Sequence, residues 1–181
     1  IILTSHGSCL HAIVKDRRYF RLTRDALWAA NAITVVSGDT RAKLLKTFGE
    51  ELSAKTRTIP GGIRLSQFPP SRPTEAARKK LGIGEKKVAL FTGRIISEKG
   101  VEYLVKAAKN INGEVIIAGD GPQRPHLEDL VKNMKLTNVR ILPFVHDFKE
   151  IIDLYYLADV FVTPAVWDEP LGLTIIEAMA A

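Results

Sequence analysis

Two glutamates near the end of the sequence, Glu169 and Glu177, stand eight positions apart with Pro170 and Gly172 between them. Proline suits the first turn of a helix, where backbone N–H groups have no intrahelical partner, and glycine lets a ligand approach the backbone closely. We therefore predict that a helix starts between the carboxylates, with Glu177 about two turns in and roughly 80° around the axis. The first N–H groups of such a helix, from Gly172 to Thr174, form a site for phosphate.

This arrangement fits a ligand with a phosphate at its centre and hydroxyl groups at both ends, which is the layout of a nucleotide sugar. The alternative is that Glu169 caps a surface helix and that Glu177 is solvated on its outer face. The spacing of two glutamates alone leaves both interpretations open.

A second group of charged residues follows the apolar run that ends at Phe91. Arg94 and Lys99 come after Gly93, close to the start of a predicted helix. A cation at a helix N-terminus is unfavourable by about 0.3–1 kcal/mol unless an anion is nearby, so two of them indicate an anion site. The alternative is a pair of solvated cations in which Lys99 forms an ion pair with Glu102.

The elements that position these residues alternate regularly from residue 87 onward. β-branched runs predict strands at about 87–92, 114–118, 138–142 and 159–163, and amphipathic segments predict helices at about 100–111, 122–135, 147–157 and 171–181. Strand followed by helix, repeated four times, predicts an α/β fold with a doubly wound parallel sheet. Ligands bind beyond the carboxyl ends of such strands, so the loops at 93–99, 119–121, 143–146 and 164–170 form one wall.

The first part of the chain also has an α/β pattern. It predicts strands at 1–4, 32–36 and 56–59 and helices at about 17–31 and 39–48, too few strands for a complete sheet. Residues 67–75 contain three prolines, which is typical of a linker. We therefore predict one domain at residues 1–66, an interdomain linker at 67–80 and a second domain at 81–181.

The net charge of +6 is unevenly distributed. Residues 1–80 carry 15 Lys and Arg against 6 Asp and Glu, whereas residues 81–181 carry 11 against 14. The basic first part suggests a polyanionic neighbour. Arg17, Arg21 and Arg24 share one face of the predicted helix, which is either a solvated stripe or a surface that meets an anionic acceptor or a membrane.

Several function classes find little support in the sequence. The apolar runs are too short to span a bilayer, and the single Cys9 fits a reducing compartment, so we expect a cytoplasmic location or one at the cytoplasmic membrane surface. The sequence has no P-loop, H-E-x-x-H, C-x-x-C or D-x-D motif, and we expect no metal. A nucleic-acid binder would need a recognised module, which the basic half lacks.

The two charged sites resemble one enzyme family. Glu169-Pro-Leu-Gly-Leu and Glu177-Ala-Met-Ala are similar to the E-x7-E signature of family 4 glycosyltransferases, the retaining enzymes of GT-B fold. Gly93-Arg94 followed by Glu98-Lys99-Gly100 resembles the family's G-R-x-x-x-E-K-G loop. Gly119-Asp-Gly121-Pro resembles its G-x-G-P loop, and Thr4-Ser-His6-Gly7 resembles its T-x-H-[GD] loop.

The sequence departs from the family pattern at three places. Leu171 stands where Phe is usual, and Gly61 replaces the usual Asn in an I-P-N-G-V turn, which removes any side-chain contact from that position. His146-Asp147 follows Val145 in the segment where the family backbone meets the nucleobase, which makes the base contact the least defined part of the resemblance.

The resemblance implies a GT-B protein in which residues 1–66 are the C-terminal part of a Rossmann-like acceptor-side domain and residues 81–181 a truncated donor-binding domain. It implies transfer of a sugar from a nucleoside-diphosphate sugar, such as a UDP- or GDP-sugar, to an acceptor hydroxyl with retention. The acceptor could be lipid-linked, a glycan or a small molecule. The chain looks like a fragment, and we expect it to have no transfer activity alone. The alternatives are a sugar-nucleotide epimerase and a non-catalytic nucleotide-sugar-binding module.

The resemblance also implies the role of each site residue. Arg94 and Lys99 would grip the donor diphosphate, Glu177 the ribose, and Glu169 and His6 the sugar. The remaining donor contacts would come from the loop glycines and from backbone groups, namely Gly93, Gly119, Gly121, Val145, Leu171, Gly172 and Leu173.

Overall fold

The structure, a computed structural model, describes residues 1–7, 10, 13 and 17–181, so Cys9 and Lys15 lie outside the described residues. The chain divides into two compact units. The first comprises Ile1–Gly62 with Glu169–Leu173, and the second comprises Ile63–Asp168 with Thr174–Ala181. The domain limits given above remain a prediction.

The first unit is built on a parallel three-stranded sheet in the order β1 (Ile2–Ser5), β2 (Ala32–Val35), β3 (Thr56–Thr58). Its helices are α1 (Arg17–Ala29) and α2 (Gly38–Phe48), followed by a 3₁₀ helix at Glu50–Lys55. The sheet and these helices pack around one apolar core, whose fully buried members include Ile33, Val35, Leu44 and Leu52. Burial of these β-branched and leucine side chains is what holds the short strands together.

The second unit contains a four-stranded sheet, and all its pairings are parallel. The strands are β4 (Val88–Thr92), β5 (Glu114–Ala118), β6 (Val139–Leu142) and β7 (Val160–Phe161), in the order β6-β5-β4-β7. The helices are α3 (Glu75–Leu81), α4 (Val101–Ala107), α5 (Arg124–Asn133), α6 (Phe148–Leu157) and α7 (Leu173–Ala180), whose first residue belongs to the other unit. Short 3₁₀ helices lie at Leu65–Gln67, Ser97–Lys99 and Ala108–Asn110.

Helices cover both faces of this sheet. On one face, Leu90 and Ile116 pack with Ile152 and Leu157 of α6. On the other face, Ile117 packs with residues of α4 and with Leu127 of α5. The predicted doubly wound parallel α/β architecture is therefore confirmed. The strand order reverses between β4 and β7, and in such folds ligands bind in the crevice outside the carboxyl ends at that reversal.

Some local predictions need correction. Helix α7 begins at Leu173, about two residues later than predicted, because Gly172 has φ 67° and cannot be part of a right-handed helix. Pro170 therefore precedes the helix, and Glu177 is about one turn in, not two. The segment predicted as a linker contains α3, which starts right after the prolines. Helix α4 ends at Ala107 and continues as a 3₁₀ turn.

Within the described part of the chain, no helix combines the length and apolar character required to cross a bilayer.

Candidate active site

The loops after β4 and β5 are joined by backbone hydrogen bonds. The N–H of Gly93 donates to the carbonyl of Ala118 at 3.1 Å, and the N–H of Ile95 donates to the carbonyl of Asp120 at 2.8 Å. The two loops thus extend the β4–β5 ladder beyond the strands and place Arg94 on the rim at the carboxyl end of the sheet.

Gly119 and Gly121 allow this close approach. A Cβ on Gly119 would lie 1.9 Å from the carbonyl oxygen of Gly93, and one on Gly121 would lie 2.4 Å from that of Ile95. Both contacts are with backbone, which cannot rotate away, so any side chain would push the loops apart. The glycines keep the rim narrow enough for its N–H groups to be reached by a ligand.

The loop after β4 is also fixed on its other side. The N–H of Val166 donates to the carbonyl of Glu98 at 3.0 Å, and the ammonium of half-buried Lys99 lies 6.0 Å from the ring centroid of Trp167. Arg94 is exposed, with no hydrogen bond or ion pair to the side chains that the structure describes. Two cations therefore stand on the rim beside β4, where the strand order reverses.

The alternative pairing of Lys99 with Glu102 is not observed. Glu102 instead accepts from Lys106 at 2.8 Å and lies 3.3 Å from His126. These contacts, Lys106 first, hold the pKa of Glu102 below its ordinary value. The Glu102 carboxylate is therefore already in contact with Lys106 on α4 and His126 on α5.

Glu177 lies beside the end of β4. The hydroxyl of Tyr155 donates to its Oε2 at 2.6 Å, and the same hydroxyl lies 2.7 Å from Oγ1 of Thr92, the last residue of β4. Burial, assisted by the Glu177 carboxylate, raises the pKa of Tyr155, which therefore stays protonated and a donor. Sequence reasoning missed Tyr155 and Thr92. A tyrosine on a buried helix face was the available signal, because its hydroxyl needs a partner.

Val145 is half-buried in the loop after β6. Together with Leu142, Pro143 and residues of α3 and α6, it lines a cavity of about 250 Å³. The neighbouring rings of Phe144 and His146 form an edge-to-face pair with centroids 4.7 Å apart. The structure therefore offers both an apolar recess and an exposed ring beside the position predicted to meet a nucleobase.

The remaining predicted residues belong to the first unit. His6 is exposed and directly follows β1, and a Cβ on Gly7 would lie 2.4 Å from the Pro170 ring. A Cβ on Gly61 would lie 2.8 Å from the Leu171 side chain. The segment 169–173 therefore packs on the loops after β1 and β3, which brings Glu169 to the same part of this unit as His6. In that segment Glu169 and Leu171 are half-buried, Gly172 is buried and Leu173 is exposed.

Among the described residues, no group of three or more His, Cys, Asp or Glu side chains could hold a metal ion. A metal-independent reaction remains a prediction.

Comparison with known proteins identifies the class. A family model described as "Glycosyl transferases group 1" matches residues 73–181, and the chain belongs to this family. It is 40% identical over 110 residues to an uncharacterized glycosyltransferase of Methanocaldococcus jannaschii, covering 58% of this chain and 28% of the relative. It is 38% identical over 135 residues to the alpha-monoglucosyldiacylglycerol synthase of Acholeplasma laidlawii, covering 68% of this chain and 33% of the relative. The chain thus spans about a third or less of these two relatives.

The fold is that of the GT-B glycosyltransferases. Anabaena HepE, solved in complex with UDP and glucose, superposes with a TM-score of 0.85 at 20% identity, covering 99% of this chain and 50% of that one. The predicted family and the predicted GT-B fold are both confirmed. The roles of the individual site residues remain predictions.

Proposed function

We propose that the protein transfers a hexosyl group from a nucleoside-diphosphate sugar, a UDP- or GDP-sugar, to an acceptor hydroxyl with retention at the anomeric carbon. One observation carries the proposal: the cationic loop with Arg94 and Lys99 and the carboxylate of Glu177 lie at the end of the same strand, β4. A group that binds phosphate and a group that binds hydroxyls are what the nucleotide half of such a donor requires.

The chemical difficulty is the negative charge that grows on the departing diphosphate. The bond between the anomeric carbon and a diphosphate oxygen breaks, and its electron pair leaves with the oxygen. A bond to the acceptor oxygen forms as that hydroxyl passes its proton to the departing diphosphate. Arg94 and Lys99 extend from a loop whose backbone is held at the rim, and preorganised groups at such a site are each worth about 2.7–4 kcal/mol in a transition state. In this proposal the two cations stabilise the diphosphate charge that a divalent metal ion stabilises in other enzymes.

The other residues orient the donor. Glu177 binds the ribose hydroxyls, and Val145 lies beside the nucleobase. Gly93, Gly119 and Gly121 let the diphosphate approach the backbone. Glu169, the backbone of Leu171, Gly172 and Leu173, and His6 hold the sugar and present its anomeric carbon.

Two relatives support the choice of donor and acceptor. HepE is described in complex with UDP and glucose, and the Acholeplasma relative is named as a synthase of a glucosyl diacylglycerol. The exposed surface of α1, with Arg21, Arg24 and Leu22, favours an acceptor that is lipid-linked or anionic, reached at a membrane surface on the cytoplasmic side.

The test uses the natural full-length protein. Thermal stabilisation by UDP, GDP and ADP is measured in parallel, because a ligand that binds only the folded state raises its stability by a predictable amount. The matching nucleotide sugar is then incubated with candidate acceptors, with and without EDTA, and the product anomer is read by proton NMR. Transfer with retention that is insensitive to EDTA is expected. An epimerised nucleotide sugar, or binding without turnover, would contradict the proposal.

A further inference from the structure

A chain of buried hydroxyl groups leads from the end of β4 to Glu177. Thr92 and Tyr155 are each 5% exposed, and the Tyr155 hydroxyl lies 2.7 Å from Thr92 Oγ1 and 2.6 Å from Glu177 Oε2. A phenol has one proton to donate, and here it goes to the carboxylate. The Thr92 hydroxyl must therefore donate to the phenol oxygen, which fixes the direction of both hydrogen bonds.

We propose that Tyr155, held in place by Thr92, is a positioning residue that orients the Glu177 carboxylate toward the ribose hydroxyls of the nucleoside diphosphate. This inference rests on the proposed function, which assigns Glu177 to the ribose. It adds two residues that touch no part of the donor themselves.

The Glu177 carboxylate has capacity left for a ligand. Tyr155 uses Oε2, and no other hydrogen bond or ion pair of this side chain occurs within the residues that the structure describes. An ionised carboxylate has two oxygens with about four lone-pair sites, so Oε1 and part of Oε2 can accept from the two vicinal hydroxyls of a ribose. The side chain is half-buried, which leaves it accessible from one side.

Orientation before binding has a thermodynamic value. Fixing a glutamate side chain costs rotamer entropy, and the bond from Tyr155 meets that cost during folding. Its ring is itself confined, with ring centroids 5.7 Å from Phe161 and 6.5 Å from Phe68. The ligand therefore meets a carboxylate that already points in one direction.

The chain of hydroxyls also connects two parts of the donor site. Thr92 directly precedes Gly93 and Arg94, which the proposed function assigns to the diphosphate, whereas Glu177 is assigned to the ribose. Because Tyr155 bridges the end of β4 and helix α7, it keeps the groups for these two parts of the nucleotide at a fixed spacing.

The deciding experiment compares the ribose with an analogue that lacks its hydroxyls. Dissociation constants for UDP and 2′,3′-dideoxy-UDP are measured by calorimetry with the natural full-length protein and with Tyr155→Phe, and the pair is repeated with the guanosine and adenosine forms. We expect Tyr155→Phe to weaken binding of the ribonucleotide about tenfold and of the dideoxy analogue less than about twofold, since the ribose must then itself order the Glu177 side chain. An equal loss for both ligands, or no loss for either, would overturn the inference.

The chain offers a matched control on the adjacent residue. The Tyr156 hydroxyl donates to the carbonyl of Pro69 and makes no contact with Glu177, so Tyr156→Phe removes a comparable hydrogen bond from the same helix. It is expected to leave the discrimination between the two ligands unchanged. Thr92→Val is expected to reproduce part of the Tyr155→Phe effect. Thr92→Ser keeps the hydroxyl and is expected to bind both ligands like the wild type.

Failure of this inference is distinguishable from failure of the proposed function. A wild-type protein that binds none of the three diphosphates contradicts the proposed function, and with it this inference. A wild-type protein that binds ribo- and dideoxy forms equally contradicts the assignment of Glu177 to a ribose, and with it the positioning role of Tyr155. If the wild type discriminates and Glu177→Gln does not, but Tyr155→Phe still discriminates fully, only the positioning role is wrong. The double variant with Tyr155→Phe and Glu177→Gln is expected to bind the ribonucleotide no more weakly than Glu177→Gln alone.

Discussion

Arg94 is a cation whose placement has little benefit for the empty protein. Arg94 is exposed, and Lys99 lies just before the N-terminus of α4, where a positive charge is locally unfavourable. The contact of Lys99 with Trp167 offsets this by about 0.5–1 kcal/mol. Arg94 should therefore matter mainly when a diphosphate is bound, and we predict the same for Lys99 because its charge lies just before the start of a helix.

We accordingly predict that Arg94→Ala and Lys99→Ala change the ligand-free melting temperature little, while each weakens diphosphate binding about tenfold and lowers the transfer rate further, because charge develops in the transition state. Melting curves and calorimetry measure the two effects. The control is Lys109→Ala, which changes an exposed lysine in the 3₁₀ helix before β5. Unfolding of the double variant, or unchanged nucleotide binding, would show that the phosphates lie elsewhere.

His6 is predicted to act on the sugar and not on the nucleotide. It is exposed directly after β1, in the unit that also contains Glu169. We expect His6→Ala in the full-length protein to lower kcat at least about tenfold, the scale of a lost acid–base or charged hydrogen bond, with the UDP or GDP dissociation constant unchanged. Steady-state kinetics and nucleotide titration separate the two quantities. An unaltered kcat would make His6 a structural residue.

At the scale of secondary-structure elements, Glu114 joins three strands at their amino ends. It is the first residue of β5 and fully buried, with Oε1 2.6 Å from Lys86, just before β4, and Oε2 2.9 Å from Arg140 on β6. Burial alone would raise the pKa of Glu114, but the bonds from Lys86 and Arg140 outweigh it and lower the pKa below its usual value. The ionised carboxylate therefore contributes stability above the unfolded-state pKa, and this contribution is lost as pH falls through the folded-state value.

We predict that Glu114→Gln lowers the free energy of unfolding by about 2 kcal/mol at pH 7, the value of the charge-assisted hydrogen bonds that it removes. The difference from wild type should begin to shrink as the pH falls below about 4, where the carboxyl becomes protonated in the unfolded chain. It should be lost once the pH has passed through the lower folded-state pKa, where the folded protein is protonated as well. Urea titrations at several pH values measure it. Glu85→Gln, an exposed residue before the same strand, should change stability by less than about 0.5 kcal/mol at any pH. A difference for Glu114→Gln that does not depend on pH would contradict the assignment.

The strands could be predicted within about one residue at most ends, because alternating β-branched runs and amphipathic segments have few competing interpretations. Helix α3 was missed because the prolines before it dominate the local pattern, although Glu75 and the basic residues of its last turn suit its ends. The sequence predicts too early a start for α7 because proline favours the first turn of a helix, whereas Gly172 with its positive φ sets the boundary.

The candidate site likewise contains residues that the sequence indicates and contacts that it does not. Arg94, Lys99 and Glu177 could be proposed from sequence because they stand in motifs with characteristic spacing, and their roles remain predictions. The pattern indicates that a buried tyrosine such as Tyr155 needs a partner, but its contacts with Thr92 and Glu177 could not be predicted because they depend on how α6 and α7 pack on the sheet. The position of Trp167 beside Lys99 likewise follows from the bond between the backbones of Val166 and Glu98, which no local pattern encodes.

At the scale of the whole molecule, charge is concentrated in the first part of the chain. Residues 1–80 have a net charge of +9, and residues 81–181 have one of −3. On α1, the buried positions include Leu27, while Arg21, Arg24, Leu22 and Tyr19 are exposed. A helix that presents arginines and large apolar side chains together is typical of contact with an anionic lipid surface.

We predict that the natural protein binds vesicles of phosphatidylglycerol and phosphatidylcholine, but not vesicles of phosphatidylcholine alone, and that high salt releases it, because exposed charges are screened. Arg21→Glu with Arg24→Glu should weaken this binding at least about tenfold, since each basic side chain near an anionic surface contributes about 1 kcal/mol. Cosedimentation measures the bound fraction. The control, Lys109→Glu with Lys132→Glu, changes the net charge equally in the other unit at two exposed lysines and should bind like wild type. If both double variants lose binding alike, net charge and not helix α1 is responsible, and if neither does, α1 is a solvated stripe.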